Sequence, residues 1–190
     1  MGRCEILCNG SRLVVEDGDA KEATASAHQF HLVDGVPSTQ LTSVVKIALH
    51  TDNNDNQCFL LAYGFPSRVH EHSAVCFGGM LAVLVGSFVV CIQSSLDEIN
   101  WYRDCNAGAC FGLYLIENES SLIVHCELAI TRLTTDGAVE WQTTGQDVFT
   151  EAFELDSERI HVTDFYGGEY VILLANGEAT FVRRGSRPEK

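Results

Sequence analysis

The chain has 190 residues, of which 46% are hydrophobic and 20% charged, with 16 Gly and 3 Pro. That composition suits one domain spanning 1–190 and excludes a disordered chain, a collagen-like repeat and a long coiled coil. Lys and Arg number 12 against 26 Asp and Glu, a net charge of −14, which argues against nucleic acid as a partner because that binding rests on cations meeting phosphates. Residues 183–190, RRGSRPEK, read as a basic flexible tail of charge +3, so the body carries −17.

The first residues, MGRCEILCNGSRLVVEDGD, lack the apolar core of a secretory signal, so the expected location is the cytoplasm and the expected state of the thiols is reduced. Eight cysteines are present: Cys4, Cys8, Cys58, Cys76, Cys91, Cys105, Cys110 and Cys126. Cys58, Cys76, Cys91 and Cys110 stand in apolar runs and read as small buried hydrophobes. Neither Cys4-x3-Cys8 nor Cys105-x4-Cys110 has the spacing of a zinc knuckle. Residues 1–40 read as an N-terminal extension or closing strand, with a hairpin turn at Asn9-Gly10. Within residues 16–30 a turn or two of helix is expected. Residues 52–56, DNNDN, offer oxygen ligands but lack the Gly and distal Glu of a calcium loop, and read as a hairpin tip.

No charge occurs from Ser73 to Leu96. Glycines interrupt this stretch, and Gly86-Ser87 between LAVLV and FVVCI is a two-residue hairpin signal, so it predicts two buried strands, not a membrane helix. No membrane association is expected.

Residues 41–182 form a repeat region. Trp101 to Trp141 is 40 residues, and Trp141 to Phe181 is 40 again. Each aromatic closes a unit of strand, break, strand, polar turn and strand, with turns SSLDE, TTDG and ANGE. Asp136-Gly137 and Asn176-Gly177 are pairs suited to two-residue turns with positive φ at both positions. A fainter unit ends at Leu61. The period predicts an all-β fold of repeated antiparallel hairpins in a small propeller-like assembly, with a β-sandwich or a cupin-like barrel as the alternative. ITRLTTDGAVEW resembles the strand pair of PQQ-like repeats, and the unit as a whole is similar to PQQ-like and WD40-like β-propeller repeats over about residues 44–181. The WD dipeptide is absent. The cofactor residues of those families have no counterparts here, so the resemblance implies neither quinone binding nor dehydrogenase activity.

One constellation points to chemistry. In Arg68-Val69-His70-Glu71-His72, a strand would place His70 and His72 on one side and Glu71 on the other, as first ligands for a divalent metal. Gly64-x5-His70-x-His72-x3-Cys76 resembles the first metal motif of cupins, with Cys76 where that motif has Glu, and no second motif follows. The third ligand would be His125 or His161, of which His125 is carried forward, and Glu71, Cys76 and Glu127 are accessory groups. No GxSxG elbow, P-loop, GxGxxG or HExxH is present. The expectation is therefore a non-catalytic binding or scaffold protein without cofactor, engaging a protein partner or itself. The alternative is a metal-dependent cupin-like enzyme using His70 and His72.

Overall fold

The alternating patterns resolve into four antiparallel sheets in a computed structural model that describes residues 2–35, 40–50, 55–116 and 121–183. The first sheet holds β1 (Arg3–Cys8), β2 (Ser11–Asp17), β3 (Gln29–His31), β4 (Ser43–His50) and β5 (Asp55–Ala62), in the order β1-β2-β4-β5-β3 with β3 parallel to β5. The one helix among the described residues, α1 (Ala20–Ala25), starts where the Asp19 carboxylate accepts from the amides of Lys21 and Glu22. The other sheets are four-stranded meanders. They comprise β6 (Ala74–Phe77) to β9 (Ile99–Asp104) with β7 (Met80–Val85) and β8 (Phe88–Gln93) between. Next come β10 (Cys110–Ile116), β11 (Ser121–Cys126), β12 (Ile130–Thr134) and β13 (Val139–Thr143), then β14 (Phe153–Leu155), β15 (Arg159–Thr163), β16 (Glu169–Leu173) and β17 (Ala179–Arg183). This is the propeller-like assembly the repeat predicts, and neither a sandwich nor a cupin barrel.

Each repeat unit captures only three strands of its sheet. The first strands (AVCF, CFGLYLI and FEL) vary in length and have no common pattern, so they escape a reading by period. Residues 3–17 supply the first two strands of the first sheet. Asn9 and Gly10 both have positive φ, as a two-residue turn demands, and Gly86 alone does so in the β7–β8 turn. The turns at Gly137 and Gly177 depart from expectation, since among their residues only the glycines have positive φ. Thr134 and Ala138 close a three-residue loop by backbone bonding, and Leu173 and Glu178 a four-residue one. In the second, the Asn176 side chain accepts from the Glu178 amide. The tip at residues 51–54 and the tail at 184–190 lie outside the described residues.

Alternating side chains join the sheets in sequence order. Leu81, Val83 and Val85 of β7 pack against Val15, Ile47 and Leu60 of the first sheet. Ala82 and Leu84 face the other way, against Leu113, Leu122 and Val124 of the third. The second sheet is thus buried on both faces, which is why its sequence carries no charge and mimics a membrane segment. No helix among the described residues is long and apolar enough to cross a membrane. A third core joins Ile123 and Ile130 to Phe149, Ile160, Val162 and Ile172 of the fourth sheet. Among the described residues the apolar clusters join the first sheet to the second, the second to the third and the third to the fourth.

The repeated aromatics lock successive sheets. Trp101 on β9 lies against Gly137 in the turn of the next sheet, where an added Cβ would stand 2.6 Å from the indole ring. Its Nε1 donates to the Thr135 carbonyl at 2.9 Å, and Arg103 Nε donates to the Gly137 carbonyl at 3.0 Å. One repeat later, Trp141 lies against Gly177 with the same 2.6 Å clearance and donates from Nε1 to the Leu174 carbonyl at 2.9 Å. Glycine is required twice over at these turns, by positive φ and by the ring. Gly137→Ala should therefore lower stability by about 2 kcal/mol and Trp101→Ala by about 3 kcal/mol in urea unfolding. The double variant should lose clearly less than the sum, because removing the indole removes the clash.

Candidate functional site

The residues singled out by sequence go to three separate places. His70, Glu71 and His72 lie in a turn before β6 instead of on a strand. Ser73 donates its amide to the His70 carbonyl, and its hydroxyl accepts from the His70 amide. His70 Nδ1 accepts the His72 amide at 3.2 Å, so one of its nitrogens already serves the turn. The two imidazole centroids are 6.3 Å apart, and Glu71 Oε1 is 3.5 Å from His72 Nε2. The strand geometry fails here because the turn bonds satisfy the backbone locally. Cys76 is bonded to Cys8 across the seam of the first and second sheets, which corrects the expectation of a free thiol. Cys110 is likewise bonded to Cys126, directly opposite it on the neighbouring strand. Cys4, Cys58, Cys91 and Cys105 are free and buried, and burial pushes the thiols of Cys58, Cys91 and Cys105 up to about 12 and that of Cys4 up to about 11.

His125 is buried within β11. Its ring stacks on Phe153 at 4.6 Å and meets Phe111 edge-on at 5.5 Å. Nε2 lies 2.9 Å from the Phe149 carbonyl, and that contact makes Nε2 the protonated nitrogen of the neutral ring. Between His125 and His72 stand two rings in contact, Phe153 stacked on Tyr114 at 4.8 Å and Tyr114 tilted against His72 at 5.0 Å. The structure does not gather the three histidines. Glu127 follows β11 in a turn whose backbone bonds to Ala109 and Phe149.

The topology brings a different set of residues together. In each meander the turn between the second and third strands lies at the same end as the link to the next sheet. Backbone hydrogen bonds tie these turns and links into one rim: Cys105 to Ser87, Leu128 to Ala107, Phe149 to Glu127 and Phe165 to Val148, at 2.7–3.0 Å. At its other end, Gly86 donates to Ser67 Oγ at 2.8 Å, beside Phe65. Five large apolar side chains stand exposed on this rim: Tyr63, Phe65, Leu128, Phe165 and Tyr166, each at 46–57%. Buried Asp164 builds the Phe165–Tyr166 tip. Its Oδ1 accepts the amides of Tyr166 and Gly168, and its Oδ2 accepts the Tyr170 hydroxyl at 2.9 Å. The opposite rim carries the turns with Asp97, Glu98, Asp136, Asp156, Glu158 and Glu178. Sequence reading missed the aromatic rim because its members are spread from residue 63 to 166 without a period. The signal available was an aromatic or Leu in a link or turn where polar residues are the rule.

No protein-family model matches this chain, and no curated protein matches it in sequence. Among solved structures it is similar to HIRA residues 644–1017, at 7% identity and TM-score 0.50, covering 96% of this chain and 52% of that one. It is also similar to the CNH domain of AfRom2, at 10% identity and TM-score 0.54, covering 98% and 55%. Both are propeller-type folds, and this chain is all-β of the same type. It spans about half the length of each.

Burial holds the His125 imidazole below its ordinary 6.5, and the Phe149 contact only partly offsets this. His70 is shifted the same way, first by burial and then by His72. On acidification the unfolded chain takes up these protons before the folded one, so stability is present above about pH 6.5 and is lost as pH falls toward the folded values. Urea midpoints should drop between neutral pH and about pH 5, and His125→Gln should flatten that drop.

Proposed function

We propose that the chain is a non-catalytic binding or scaffold module of the propeller type, and that it engages a protein partner through its aromatic rim. The observation that carries this reading is the alignment of Tyr63, Phe65, Leu128, Phe165 and Tyr166 on one rim whose backbone is held by hydrogen bonds from sheet to sheet. Large apolar side chains on a rigid backbone lose little entropy on binding, and Tyr and Phe are enriched at protein interfaces. Links and turns are also where binding residues concentrate on rigid scaffolds. The net charge of −14 favours a protein partner over nucleic acid. The groups suited to chemistry have structural employment instead: His125 bonds the Phe149 carbonyl, His70 orders its own turn, and Cys76 is joined to Cys8.

A benzophenone amino acid placed at Tyr63 or Phe165 in the source cells should yield discrete protein adducts, whereas one at Asp136 or Asp156 on the opposite rim should not. With the adduct partner in hand, Phe65→Ser and Phe165→Ser should each weaken binding by about 2 kcal/mol. Adducts from the acidic rim alone, or unchanged affinity in both variants, would remove the aromatic rim from the binding surface.

A further inference from the structure

Three cysteines from three successive segments, the link after β9, the start of β10 and the end of β11, meet beside the second sheet's turn. Cys105 follows β9, Cys110 opens β10 and Cys126 closes β11. Their sulfur atoms all lie within 4.8 Å of one another, and each residue is at most 4% exposed. The backbone at each position is fixed: the Cys105 amide donates to the Ser87 carbonyl and the Cys110 amide to that of Gly86, both in the second sheet's turn. The Cys126 amide donates to the Ala129 carbonyl. The Cys105 carbonyl accepts from Gln142 Nε2 at 3.0 Å. All three cysteines belong to one buried apolar cluster that also holds Leu84, Val89, Leu113, Leu122 and Ala129. A structural disulfide needs two of these thiols, and the third converges on the same point from a different strand connection.

We propose that this cluster, when reduced, binds a thiolate-seeking d10 metal ion, Zn2+ or Cu+, through Cys105, Cys110 and Cys126. Thiolate sets select these ions, and an apolar wall keeps out harder, strongly hydrated cations. A bound ion deprotonates the thiols it coordinates, so binding releases their protons. Burial and the Asp104 carboxylate oppose a bare thiolate at Cys105, with Arg103 only partly offsetting them, so the ion itself has to supply the compensating positive charge. The disulfide and the metal exclude each other, because the Cys110–Cys126 bond leaves only Cys105 free. A dithiol reductant converts the first state to the metal-competent one, and the disulfide form of the same reagent reverses the step. In the forward direction the reductant's two thiols close to a disulfide and pass two electrons and two protons to Cys110 and Cys126, which become two thiols. The oxidised state thus staples β10 to β11 within the third sheet, and the metal would tie both strands to the link that carries Cys105.

The test is a titration of dithiol-reduced, desalted full-length protein with Cd2+ under argon, in a Cys8→Ala/Cys76→Ala background that removes the other reducible pair. A thiolate-to-cadmium charge-transfer band should saturate at one equivalent, and Cd2+ should displace Zn2+ loaded beforehand. Removal of a group that merely orients a metal ligand costs about 10–100-fold in affinity, so Cys105→Ala should cost at least that, while Cys58→Ala changes nothing. The oxidised protein should show no band. No band in the reduced protein, a band unaffected by Cys105→Ala, or equal binding by the oxidised protein would overturn the assignment. Should Cys105→Ala fail to fold, X-ray absorption of the cadmium-loaded parent decides: three sulfur neighbours uphold the site, and any other count overturns it.

Discussion

The middle sheets of this protein are apolar on both faces, and the rest of the structure depends on that constraint. A sheet with one wet face can rest on a single neighbour. The second sheet cannot, because Leu81, Val83 and Val85 point one way and Ala82 and Leu84 the other, all with almost no solvent exposure. At roughly 25 cal/mol per Å2 of apolar surface, leaving either face wet would cost more than the whole stability of a domain allows. Successive sheets must stack, and the third sheet repeats the arrangement with Leu122 and Val124 on one face and Ile123 on the other.

Stacking alone leaves the sheets free to slide. The indole locks limit that freedom, since each ties the outer strand of one sheet to a glycine turn of the next through ring contact and a hydrogen bond. At the opposite rim the backbone bonds between turns and links do the same. The first sheet is the exception. Leu61, 40 residues before Trp101, pairs with Val44 at the far end of β5 and is buried with Phe59 and Ala23, and the link to the next turn is instead Asn56 Nδ2 donating to the Ser95 carbonyl. Locked at both rims, the stacked sheets are a rigid mount, so Phe165 and Tyr166 can be exposed without being disordered, with Asp164 holding the tip from within.

Much of this was legible in the residues. The 40-residue spacing of Trp101, Trp141 and Phe181 marked the outer strand of three sheets, because each such aromatic occupies an equivalent place in its sheet. Gly86-Ser87 and Asn9-Gly10 gave their turns correctly, since positive φ is a local demand. The first strand of each sheet was not legible, being short and without a pattern of its own. His70 and His72 had the spacing of a ligand pair, yet alternation presumes a strand, and the Ser73 bonds make a turn instead.

By itself the sequence determined what is local or periodic: an all-β chain, repeated units, the turn glycines and a middle stretch that must be buried. Only the tertiary structure decided which residues from distant segments meet. It set His125 apart from His72 by two aromatic rings, joined Cys8 to Cys76 across 68 residues, brought Cys105 to Cys110 and Cys126, and lined up Tyr63 with Phe165. The physical reason is that a strand's own alternation states which face is buried, whereas the neighbour against which it is buried follows from how whole sheets stack.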